Sequence, residues 1–285
     1  MILVSVVSML AAVFQEPVVP MPRGTMPVVP AAGARSASAD GDGLSDEARI
    51  ARASSLGRVL YTFDRAAWVS SDALMAAVPR DRLTGSGGYV VEQSGPDDLR
   101  VTYYRGEAST AVGFFVADVR AGKVVTAHLL AEPIALTAAQ ALLVRARGLA
   151  AETARSRAYR PCSKQPFNTV VLPPREDGSI AVYLLSPQRD AGTFPMGGHY
   201  RMIVGADGRI ATSRPYSVAC LDTPLPRLPT GATPVGLVVS SVLDPVPTEI
   251  HVFASYSLRM PVFVATRDKR LWKVTGSTIA LTSVR

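Results

Sequence analysis

The sequence predicts an α+β fold: a mainly antiparallel sheet of roughly ten strands, one long helix at 137–158, and short N-terminal helices. Three observations carry this. Short β-branched and aromatic runs recur between Gly-, Asp- and Pro-containing turns. Only one segment has both a capping box and helical periodicity. Charged residues make up just 19% of the chain against 48% hydrophobic, a mix that can bury a core.

Ser45 is placed to cap a first helix, with Asp46 and Glu47 where the dipole favours anions, running to about Leu56. Residues 58–63 (RVLYTF) read as a short strand. A further helical turn from Ser70 or Ser71 reaches Ala77 and is stopped by Pro79. Strands follow at 88–93, 98–105, 110–119 and 123–131. Thr137 and Gln140 form the capping box of the long helix. Its predicted apolar face is Leu142, Ala146, Leu149 and Thr153, and Arg155, Arg157 and Arg160 offset the dipole at its end. Beyond Pro161, Asp-Gly turns announce hairpins at 168–173/179–185 and 198–204/209–216. A Pro-rich crossing at 223–234 leads to strands at 235–243, 249–257, 261–266, 270–275 and 278–283. The globular region is 44–285, as one domain or as two lobes split near 160.

Residues 1–14 read as a signal peptide. Ile2 to Phe14 is an apolar run of 13 residues, shorter than the roughly 20 a membrane-spanning helix needs. No basic residue precedes it. Residues 15–43 are a Pro/Ala/Gly-rich leader with PVVP at 17–20 and 27–30, which blocks ladders and helices. The expected address is periplasmic or secreted, with no transmembrane span in the mature chain. Cys162 and Cys220 are the only cysteines, 58 positions apart. In an oxidising compartment they are expected to pair, stabilising the fold by roughly 4 kcal/mol.

The net charge of +7 comes from 26 Arg and 4 Lys against 23 acidic residues. An anionic envelope component is the partner this charge suggests. Codon bias would equally explain Arg over Lys. The arginines read as scattered, without the interleaved aromatics of single-strand binders, so no specific nucleic acid is expected. The chain is read as a monomer.

The run around Asp40, Asp42 and Gly43 resembles the calcium loops of EF-hand and thrombospondin type 3 modules. Ser38 and Arg49 stand where the first Asp and the bidentate Glu belong, so the strongest ligand is replaced by a repelling charge. The run is read as an acidic helix start.

No G-x-S-x-G, H-E-x-x-H, P-loop or helix-opening G-x-G-x-x-G occurs, and the cysteine spacing excludes C-x-x-C chemistry. Asp64 to Trp68 is a compact polar-aromatic stretch read as a loop or helix edge. His199 and Arg201 would share one strand face, and Glu249 and His251 another. Were those strands neighbours, His199, Glu249 and His251 could converge as a divalent-metal set or a general acid–base group, with Arg201 beside them. His128 is read as structural. No cofactor is predicted beyond such a metal. The sequence favours an exported binding or envelope-associated structural protein; the alternative is a small hydrolase, metal-dependent or not, using that cluster.

Overall fold

The computed structural model describes residues 43–225 and 235–282. The apolar start, nearly all of the leader, and Asp40 and Asp42 lie outside the described residues. Helix α1 (Asp46–Ala77) is capped by the Ser45 hydroxyl, which accepts from Ala48 N at 3.3 Å. It is one continuous helix of 32 residues, where a helix, a strand and a helical turn were expected. Its buried residues Ala53, Gly57, Leu60, Phe63, Ala66, Ala67, Ser70 and Leu74 follow helical spacing along one face, and that periodicity overrides the β-propensity of RVLYTF. Gly57 is a close-approach site: a Cβ there would sit 2.4 Å from Val252 Cβ. Val78 is extended before Pro79 and ends the helix as expected.

Strands β1 (Ser86–Gln93), β2 (Asp98–Arg105), β3 (Val112–Arg120) and β4 (Lys123–Ala135) form an antiparallel meander in sequence order. Helix α2 (Ala138–Ser156) follows with the predicted capping box: Thr137 and Gln140 exchange side-chain and backbone hydrogen bonds. Its buried stripe is Leu143, Ala146, Ala150 and Ala154, so the expected face shifts and Leu142 is solvent-exposed. Strands β5 (Asn168–Val171), β6 (Ile180–Leu185), β7 (Thr193–Pro195), β8 (Tyr200–Val204) and β9 (Ile210–Pro215) come next. They build a second antiparallel sheet in the order β5-β6-β8-β9, while β7 pairs with β10 (Asp222–Pro224).

The segment 249–257, expected to be a strand, is helix α3 (Glu249–Leu258). It joins β11 (Leu237–Ser241) to β12 (Val262–Thr266), which pair in parallel. A parallel pair needs a crossover, and α3 supplies it. Seven consecutive residues, Glu249–Ser255, are buried, so no amphipathic period marks this helix in the sequence. Strands β13 (Leu271–Thr275) and β14 (Thr278–Leu281) complete an otherwise antiparallel sheet. The architecture is mixed, mostly sheet, with three α-helices and fourteen strands among the described residues. The single long helix of the sequence reading is therefore replaced by two, α1 and α2.

The sheet β5-β6-β8-β9 separates two cores. On one face Ala181, Tyr183, Leu185 and Ile203 join α1, α3 and the last sheet. On the other, Ile180, Val182, Leu184, Met202 and Val204 pack against α2. The period-2 alternation along β8 sorts Arg201 and Ile203 from Met202 and Val204, as its sequence predicts. Cys162 and Cys220 form the expected disulfide, with Cα atoms 5.3 Å apart. No helix among the described residues is long and apolar enough to cross a membrane.

Candidate functional site

The pairing register of the second sheet places Val170, Tyr183, Arg201 and Arg214 in one cross-strand row. The N-terminus of α3 lands on this row and delivers Glu249. The Glu249 Oε1 atom accepts from Arg201 Nη1 at 2.7 Å, Tyr183 Oη at 2.9 Å and Tyr216 Oη. Beside it, Arg214 donates both terminal nitrogens to Asp244, at 2.9 and 2.6 Å, the bidentate geometry that makes such pairs strong. Arg214 also lies over the Tyr216 ring, 4.5 Å from its centroid.

Glu249 and Arg201 are both about 95% buried. Burial alone would raise the Glu249 carboxyl. The Arg201 charge and the Tyr216 hydroxyl override it and hold the group at about 2. Burial and the Glu249 charge push the Tyr183 and Tyr216 hydroxyls up. The pair is therefore ionised, and both phenols stay protonated as donors.

Arg201 and Glu249 meet, whereas the sequence reading brought His199, Glu249 and His251 together on neighbouring strands. The histidines turn elsewhere. Ser186 N donates to His199 Nδ1 at 3.2 Å, which places the ring proton on Nε2, 2.8 Å from the Pro195 carbonyl it donates to. Both ring nitrogens are thus committed to backbone. Glu249 and His251 do not share a face, because two positions on a helix diverge by about 200° instead of aligning as on a strand. His251 folds back onto its own helix cap, its Nδ1 accepting from Thr248 N at 3.0 Å. Burial lowers both imidazoles to about 4, and for His251 the nearby Asp244 and Glu249 charges oppose the shift without reversing it. His128, read as structural, is exposed on β4. Among the described residues, no group of three His, Cys, Asp or Glu side chains is arranged to hold a metal ion.

A second polar cluster lies where α1 crosses β1 and β2. Tyr103 Oη is held by Ser70, Ser71 and the Ala67 carbonyl. Tyr89 Oη and Arg147 Nη1 both donate to the Thr169 carbonyl, at 3.1 and 3.2 Å, with Arg147 over the Tyr89 ring. Asp64 sits one turn beyond Leu60 on α1 and makes no hydrogen bond among the described residues. Burial pushes its carboxyl up to about 7, opposed only by Arg65. Sequence reasoning named Asp64 without this role, because it placed the residue just beyond a strand, off the buried stripe of a helix.

Comparison with protein-family models, curated proteins and solved structures found no match.

Proposed function

We propose that this chain is an exported binding protein of the cell envelope, and that the His199–Arg201–Glu249–His251 region is its structural keystone. One observation carries the reading: within this region Glu249 is held by Arg201, Tyr183 and Tyr216, and His199 and His251 bond backbone. A general base needs an acceptor free to reach substrate, and a metal set needs free lone pairs. His199 has neither, and the Nδ1 lone pair of His251 is taken by its own cap. The polar core fixes α3 to the second sheet and leaves function to the surface. The disulfide supports an oxidising compartment.

Envelope fractionation with thiol labelling under denaturing, non-reducing conditions tests the proposal. The expected result is a protein in the exported or envelope fraction with no labelled thiol. A cytosolic protein carrying two reactive thiols would overturn it.

A further inference from the structure

Charge along the chain is uneven. Residues 145–164 hold six basic side chains and one acidic, so five of the net seven positive charges lie within 20 residues. Only five of the 26 arginines lie here, but Glu152 is the one acidic residue among them, so the positive charge is not offset. Arg147 is engaged with Tyr89 and Thr169. Arg155, Arg157, Arg160 and Lys164 are all exposed, and none forms an ion pair among the described residues.

These four cations sit on an ordered strap. Tyr159 stacks on Tyr200 with ring centroids 4.0 Å apart, and Phe167 meets Tyr200 edge-on. Tyr200 Oη donates to the Arg160 carbonyl at 3.3 Å, and Cys162 N donates to Ser186 Oγ at 2.9 Å. The disulfide then fastens this strap to the loop around Cys220. Two apolar side chains flank Cys220, both open to solvent: Val218 at 73% and Leu221 at 41%. The disulfide thus ties the segment carrying these cations to the segment carrying two protruding aliphatic groups.

We propose that this clasp, Arg155–Lys164 joined to Val218–Leu221 through Cys162–Cys220, docks on an anionic membrane surface. The cations meet acidic headgroups, and Val218 and Leu221 enter the headgroup layer. A nucleic acid fits less well. Its bases need free aromatic faces, whereas Tyr159, Tyr200 and Phe167 are half-buried against one another. Val218 and Leu221 would also have no use against a phosphate polymer. The proposal rests on the envelope reading above, but is tested without it.

The test is co-sedimentation of the purified full chain with vesicles of phosphatidylcholine alone or with 30% phosphatidylglycerol. Binding is expected only to the anionic vesicles and is expected to weaken with salt. Each basic residue near such a surface contributes about fivefold. The variant Arg155→Gln/Arg157→Gln/Arg160→Gln/Lys164→Gln should therefore lose at least tenfold. Arg80→Gln/Arg82→Gln/Arg209→Gln/Arg267→Gln removes the same charge from exposed sites elsewhere and should lose less than threefold. Val218→Ser/Leu221→Ser should weaken binding while leaving its salt dependence in place. Both quadruple variants are required to match the parent in near-ultraviolet circular dichroism. A loss below tenfold in the clasp variant, an equal loss in the control, or tighter binding to duplex DNA than to vesicles would overturn the proposal. Failure here with correct export leaves the envelope reading standing, and a cytosolic address with intact vesicle binding does the reverse.

Discussion

Glu249→Gln removes the carboxylate charge from the polar core and leaves the Arg201 guanidinium buried without it. Breaking a buried ion pair from one side costs about 3–5 kcal/mol. The Glu249 carboxyl gives a consistent figure. It is held at about 2 against an ordinary 4.5, and each pKa unit is worth about 1.4 kcal/mol, so about 3 kcal/mol of stability is linked to its ionisation. Because the folded-state pKa is lowered, that stability is present above pH 4.5 and is lost as pH falls towards 2. For a domain of this size the substitution should lower Tm by about 10 °C at pH 7. Urea melts of parent and Glu249→Gln, followed by circular dichroism at pH 7 and pH 2, read the effect. The difference should be large at pH 7 and shrink at pH 2. The double variant Arg201→Met/Glu249→Leu should recover part of the loss, short of full recovery because Tyr183 and Tyr216 keep hydroxyls without their acceptor. A loss under 1 kcal/mol at pH 7, or one unchanged at pH 2, would refute the keystone role.

Three further outcomes follow from the same packing. Asp64→Asn should stabilise: its raised pKa means stability is greatest below pH 3.8 and falls as pH rises to 7, so the gain over the parent grows across that window to about 2 kcal/mol after allowing for partial exposure; a gain independent of pH between 4 and 8 argues against it. Gly57→Ala should destabilise by about 1–3 kcal/mol in thermal melts despite alanine's better helix propensity, because its Cβ would collide with Val252 and approach Glu249 O at 2.8 Å; a rise in Tm would show that α1 and α3 can separate freely. Cys162→Ser/Cys220→Ser should cost up to about 4 kcal/mol in urea melts, as the bond closes a separation of 58 residues; an unchanged midpoint would mean the strap is held by Tyr159, Tyr200 and Ser186 alone.

The meander and the α2 capping box were legible because their signals are local. Alternation and turn residues set β2 at Asp98–Arg105, and Thr137 with Gln140 set the start of α2. Helix α3 was not legible. Ile250, Val252 and Phe253 look like strand residues, and a helix buried on all sides carries no stripe to reveal it. The error in α1 arose at RVLYTF, whose β-propensity reads as a strand, while the neighbouring Gly57 is a contact point for α3. Half of the polar core was named through the histidines: Arg201 and Glu249 entered as the residues two positions from His199 and His251. Their partners did not. Tyr183 sits inside the apolar strand IAVYLL, and only the register opposite Arg201 gives it a role. Asp244 meets Arg214 across 30 residues of sequence, a pairing no local pattern encodes.

His199 and His251 serve structure and are locked neutral within the fold. The direct measurement is an NMR titration of the imidazole nitrogens from pH 8 to 4. Both rings should remain neutral with the proton on Nε2 down to about pH 5, and charge only as the fold loses stability near pH 4. Reversible titration of His199 or His251 near pH 6.5 in the intact fold, or a proton on Nδ1, would contradict their structural role.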